Sequence, residues 1–162
     1  MELLYIGRFV STHGIKGELK LISDFDKKMK VYKENFSLYI NDAEYKIDSC
    51  RPHKQYELIK LQGYDNINDV LFLVGSKVYI KKEDLNLEED EYLLSELIGS
   101  TVMENAEILG EITDIMLGHT DIIRVKNNNK EFLIPLIDEY VVRFDKKRKT
   151  LFTKNAKGLI LD

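Results

Sequence analysis

The chain has 162 residues, a formal net charge of −4, a single cysteine and an ordinary apolar share of 44%, enough for one typical domain or two small ones. A lone Cys50 excludes an internal disulfide and any multi-cysteine metal site, and no stretch approaches the roughly 20 apolar residues that span a bilayer. The opening Met1-Glu2-Leu3-Leu4-Tyr5 lacks the basic region and long apolar core of a signal peptide, so a cytoplasmic protein with no membrane partner is expected.

The charge is unevenly spread. Residues 1–82 carry 14 Lys/Arg against 11 Asp/Glu, whereas residues 83–162 carry 10 against 17. Seven of those acids, with no base among them, fall between Glu83 and Glu96. A mildly basic half, an acidic connector and a neutral remainder do not make a protein that coats nucleic acid indiscriminately.

Short strands dominate the first half. Leu4 to Val10 is an apolar-rich run, Glu18 to Leu21 and Phe36 to Ile40 alternate as half-buried strands do, and Asn41-Asp42 supplies turn chemistry. Ala43 to Arg51, Tyr56 to Leu61 and Lys77 to Ile80 extend the series, while Asn66 to Val74 has the composition of one short helix capped by Asn66 or Asn68. Many short strands separated by turn residues predict a barrel or sandwich.

The acidic stretch around Glu88-Glu89-Asp90-Glu91 is the natural boundary, because like charges repel and bury poorly. It reads either as a plain solvated spacer or as a connector that meets a basic partner. The predicted organisation is a barrel over 1–83, an acidic linker over 84–93 and a second barrel over 94–162. Its strands are Thr101 to Met103, Glu111 to Leu117, Asp121 to Lys126, Glu131 to Ile134, Tyr140 to Phe144 and Thr150 to Thr153, the last two flanking a charged hairpin turn at Asp145 to Lys149.

No catalytic constellation emerges. His13, His53 and His119 stand in no metal-ligand spacing, no nucleophile elbow, P-loop or dinucleotide fingerprint occurs, and pairs such as Asp24 with Asp26 or Asp138 with Glu139 are common in any acidic chain. No enzyme, metal or cofactor is expected.

Three segments stand out. In His13-Gly14-Ile15-Lys16-Gly17 the glycines bracket two residues between strands, which suits a tight turn; displayed there, His13 and Lys16 also suit a phosphate backbone. In Glu91-Tyr92-Leu93-Leu94-Ser95-Glu96-Leu97-Ile98-Gly99 not every apolar side chain can enter one small core, so the surplus either forms a protein-binding rim or staples the two domains together. In Phe132 to Val141, Pro135 lacks a ladder donor and marks a strand end.

Taken in order, these segments resemble the RimM family of small-subunit rRNA processing and assembly proteins. Gly7-Arg8-Phe9-Val10-Ser11-Thr12-His13-Gly14-Ile15-Lys16-Gly17-Glu18-Leu19-Lys20 is similar to the family's opening signature, and Arg51-Pro52-His53 through Tyr56 to Asp65 to its next block. Glu91-Tyr92 with Leu97-Ile98-Gly99, then Leu109-Gly110-Glu111-Ile112-Thr113-Asp114 and Gly118 to Ile123, look like the family's PRC-barrel domain.

The resemblance implies an all-β chain: a six-stranded barrel of the translation-factor kind, an acidic linker and a PRC barrel. It also implies a monomeric ribosome maturation factor with a chaperone-like role in assembling the 30S head and processing 16S rRNA. Its expected partners are the immature 30S subunit, 16S rRNA and the basic nineteenth small-subunit protein. Two adjacent tyrosines at the start of the second domain serve that protein in the family; Tyr92 matches the first, Leu93 stands at the second and Leu94 where tryptophan is usual. Tyr92, Leu93 and Leu94 are thus the implied partner-binding residues, and Arg8, His13 and Lys16 the candidate RNA contacts. The alternative is a general RNA-binding β-barrel without a dedicated protein partner, and a third class is an enzyme built from residues distant in sequence.

Overall fold

The structure, a computed structural model, describes residues 2–160. The chain divides into two compact units, Met1–Asn86 and Leu87–Asp162, and both are β-rich, as the alternating runs predict.

The first unit comprises β1 (Leu3–His13), β2 (Glu18–Ile22), α1 (Lys28–Val31), β3 (Ser37–Ile40), β4 (Ala43–His53), β5 (Tyr56–Leu61), α2 (Ile67–Val70, continued by a 3-10 turn over Leu71–Leu73), β6 (Lys77–Lys81) and a closing 3-10 turn over Lys82–Leu85. The strands form a closed barrel in the order β1-β2-β5-β4-β3-β6. β1 joins the ring on both edges because two register shifts, between Tyr5 and Gly7 and between Phe9 and Ser11, bend it from β6 towards β2. Alternate positions fill the interior: Phe9, Leu19, Leu21, Leu38, Ile47, Ile59, Leu61 and Ile80 are fully buried, each contributing about 1.5–3 kcal/mol by leaving water. The Asn41-Asp42 turn takes positive φ at both residues, 49° and 67°, as the twist of a two-residue hairpin requires.

The Asn66 to Val74 helix forms as expected but in two pieces, with the Asn66 side chain accepting from the Asn68 backbone N–H. α1 was not foreseen. Its N-cap, Lys27, makes no side-chain capping bond, so it carries no start signal and depends on Val31, which is fully buried.

The second unit begins with a 3-10 turn over Leu94–Leu97 and continues through β7 (Thr101–Glu104), β8 (Glu107–Met116), β9 (Ile122–Asn127), β10 (Lys130–Pro135), β11 (Val141–Asp145) and β12 (Thr150–Thr153) to a 3-10 turn over Lys157–Leu159. Its six-stranded sheet runs β10-β9-β8-β7-β12-β11. All its pairings are antiparallel except β12 on β7, which is parallel and places Leu151 beside Val102. Leu97, Val102, Leu109, Ile112, Ile123, Val125, Ile134 and Leu151 build its core. Pro135 closes β10, where its missing donor costs no ladder bond.

Inside this unit the carboxylate of Glu104, at the end of β7, is buried and accepts from the Thr153 hydroxyl at 3.2 Å, the Ala156 N–H at 2.9 Å and the Lys157 N–H at 3.2 Å. One side chain thereby ties β12 and the final turn to β7. No helix among the described residues is long and apolar enough to cross a membrane.

Candidate partner and nucleic-acid surfaces

In the first unit the Gly14–Gly17 turn is shaped by its glycines. Gly17 has φ +93°, and a Cβ there would stand 2.3 Å from the Tyr64 carbonyl oxygen. The turn is strapped to that neighbouring segment by the Ile67 N–H donating to the Ile15 carbonyl at 2.9 Å. Lys16 and Ile15 are left exposed at its tip, so a tight turn and a displayed cation coexist.

His13, the last residue of β1, packs its ring against His53 at the end of β4, with centroids 4.8 Å apart. Glu18 and Arg51 join by a two-pronged ion pair, both N···O distances 3.0 Å. The Arg51 guanidinium holds the Glu18 carboxyl below its usual range, with His13 and His53 adding smaller pulls in the same direction. Desolvation pushes the His53 imidazole down from its ordinary value, and the nearby His13, Lys54, Arg51 and Lys20 add to that push. Lys20 also lies over the Tyr56 ring at 5.4 Å. The result is a basic and aromatic surface gathered from β1, β2, β4 and β5.

Arg8 belongs elsewhere. It sits five positions before His13 on the same strand, roughly 16 Å away, and pairs in register with Lys77 of β6. The three expected RNA contacts therefore do not form one cluster. Arg51, His53, Lys20 and Tyr56 join His13 instead. Their only trace in sequence is the Arg51-Pro52-His53 block, because cross-barrel proximity depends on the stagger of the ring.

In the second unit the Tyr92 ring lies 5.0 Å from Phe144 of β11 at 59°, and both Tyr92 and Leu94 pack half-buried against the core. Leu93 is only 3% exposed. The expected apolar rim is thus narrower than the sequence suggests, since Leu93 presents almost no surface. Ile98 is the neighbouring apolar side chain that faces out, at 46% exposure.

The expected linker of 84–93 is also shortened from both ends. Leu85 is buried, with its 3-10 turn in the first unit, and Tyr92 joins the second core. Between them the acidic stretch is folded: the Glu91 N–H donates to the Glu88 carbonyl, the Glu88 N–H to the Glu91 carboxylate, and the Lys146 ammonium reaches the Glu88 carbonyl at 3.4 Å. These bonds set Glu88 to Glu91 beside the basic β11–β12 hairpin, while Glu88, Glu89 and Asp90 stay exposed. No group of three or more His, Cys, Asp or Glu among the described residues could hold a metal ion.

Family models match both units, the RimM N-terminal domain over residues 4–85 and the RimM PRC barrel domain over 94–159. The chain belongs to the RimM family. It is similar to a protein of Geobacillus kaustophilus called ribosome maturation factor RimM, 37% identical with 96% of this chain and 94% of that one covered. A Staphylococcus aureus protein of the same name is 35% identical, with coverages of 96% and 97%. Among solved structures, a Pseudomonas aeruginosa 16S ribosomal RNA processing protein RimM aligns with TM-score 0.42 and 21% identity, covering 94% of this chain and 97% of that one. The N-terminal domain of RimM from Thermus thermophilus aligns with TM-score 0.46 and 24% identity, covering 52% and 95%. Within this RimM chain, Tyr92 and Leu93 fall between the two matched regions and Leu94 opens the second.

Proposed function

We propose that this RimM-family chain is a non-enzymatic maturation factor for the small ribosomal subunit. It assists assembly of the 30S head and processing of 16S rRNA by holding the basic nineteenth small-subunit protein on its second unit. The observation that carries this is the near-full-length likeness to proteins named ribosome maturation factor RimM. The physical support is local: an aromatic ring at Tyr92 and the outward Ile98 occur in the same unit as the exposed acids of Glu88 to Asp90. Acids near an apolar patch steer a cationic protein inward and repel RNA from the wrong face, and the ring then supplies dry contact area.

Assistance of this kind needs no bond to be broken. A factor that binds one folded intermediate stabilises it by mass action and leaves when mature contacts compete. The cytoplasm, where subunits assemble, is the corresponding location.

A pull-down of the chain against isolated small-subunit proteins tests the proposal, with the nineteenth protein expected as the retained species. Failure to retain it, together with RNA affinity that falls steeply with salt, would leave a general RNA-binding barrel. The specific observation favouring that alternative is the His13, His53, Lys20 and Arg51 surface of the first unit.

A further inference from the structure

The outer face of β1, β6 and β3 carries a feature that the surfaces above do not use. Tyr5 of β1 and Tyr39 of β3 both pair in register with Tyr79 of β6. Successive residues of a strand point to opposite faces, and Val78 and Ile80 are buried, so Tyr79 and its two partners form an outward row across three adjacent strands. The Tyr5 and Tyr79 rings meet edge to face at 5.7 Å, and Tyr5 is 53% exposed.

Cations bracket the row along β6. Lys81 lies over the Tyr39 ring at 4.8 Å, and its pKa is raised chiefly by a hydrogen bond to Tyr39, against a smaller desolvation cost, with Tyr39, Asp84 and Glu83 adding lesser electrostatic pulls upward. At the other end Lys77 stands beside Arg8, about 13 Å from Lys81 along the strand. Leu3, Tyr39, Tyr79, Lys77 and Lys81 line a groove of about 990 Å³, with the Asp42 carboxylate also on its wall.

The Tyr5–Tyr79 contact supports the barrel as a cross-strand pair, and the row still leaves ring surface open to solvent, with Tyr5 53% exposed. We propose that this groove, together with Tyr5 and Arg8 on the adjoining strand β1, binds unpaired RNA. Bases stack on the Tyr5, Tyr79 and Tyr39 row, which spans roughly 10 Å over three strands, while Arg8, Lys77 and Lys81 take the phosphates. A face that offers rings between cations suits single strands, whose bases are free to splay out; a duplex hides them. The choice of RNA rests on the reading of the chain as a small-subunit maturation factor.

The experiment is fluorescence anisotropy of the full chain with a labelled oligouridylate of about 12 nucleotides, repeated across a salt series. Tyr79→Ala is expected to weaken binding about tenfold or more, while Tyr79→Phe, which keeps the stacking plane, binds within about twofold of the parent. Should Tyr79→Ala fail to fold, the surface double variant Arg8→Gln/Lys77→Gln is expected to flatten the salt slope by about 1.4. No binding by the parent chain, or parent-like binding and slope in the folded variants, would overturn the proposal. Equal affinity for an oligothymidylate of the same length would overturn the assignment to RNA. Loss of oligonucleotide binding with the pull-down intact sinks only the groove, and the converse sinks only the partner proposal.

Discussion

The ring of Tyr92 rests against that of Phe144, 5.0 Å between centroids, so the residue expected to anchor a partner also covers the core of its own unit. Tyr92→Ala is therefore expected to show two effects. The second unit loses about 1–2 kcal/mol of stability from the broken ring pair and uncovered core, and affinity for the nineteenth small-subunit protein falls by about 1–3 kcal/mol. Tyr92→Phe keeps the ring, so both stability and partner affinity are expected to stay near the parent's. Thermal melts beside titrations read both, and unchanged partner affinity in a folded Tyr92→Ala chain would make the residue purely structural.

Gly17 and Gly14 share a turn and differ sharply in surroundings. A Cβ at Gly17 meets the Tyr64 carbonyl at 2.3 Å with φ at +93°, whereas at Gly14 nothing lies within 4 Å and φ is +67°. Gly17→Ala should cost about 2–4 kcal/mol, from strained φ plus a backbone collision, and Gly14→Ala only about 1 kcal/mol. Denaturant titration of the two variants gives the comparison directly, and equal costs would contradict the close approach of residues 64–67.

Glu104→Ala removes the acceptor for one hydroxyl and two backbone donors at a buried site. The expected loss is roughly 2–4 kcal/mol, since the Ala156 and Lys157 N–H groups lose their acceptor, while the Thr153 hydroxyl keeps the Met103 carbonyl at 3.1 Å. Hydrogen exchange at Ala156 and Lys157 should accelerate before that of β8.

Acid is expected to weaken the first unit through two groups. Glu18 titrates below its ordinary 4.5 because of Arg51, and His53 below its ordinary 6.5, chiefly through desolvation. In each case the folded state binds fewer protons than the unfolded one in the window beneath the ordinary value. The stability held above that value is therefore lost as pH falls through it. The His53 contribution fades below 6.5 and that of Glu18 below 4.5. Glu18→Gln should flatten the lower part of the stability curve and His53→Gln the upper part, measured by denaturant midpoints across pH.

Strand positions were largely legible because side-chain alternation is a local signal. β12 falls at Thr150–Thr153 as expected, and the Asp145 to Lys149 turn joins it to β11. Ends were less so: β1 runs on to His13 and β8 starts four residues early at Glu107, since bulges let a strand continue past a break in alternation. Long-range features escaped altogether. The packing of His13 against His53 and the row of three tyrosines depend on barrel register, which no short window of sequence encodes. The burial of Leu93 escaped for another reason: an irregular segment has no fixed period from which to read a buried face.

The parallel seam between β12 and β7 has a consequence for synthesis. Thr101 must wait for Thr150, nearly 50 positions later, before that edge of β7 is occupied, and pairings so distant along the chain form slowly. Until the final strand leaves the ribosome, the nascent second unit carries a bare edge of the kind that invites mispairing. The core of the second unit therefore closes only once β12 has been made.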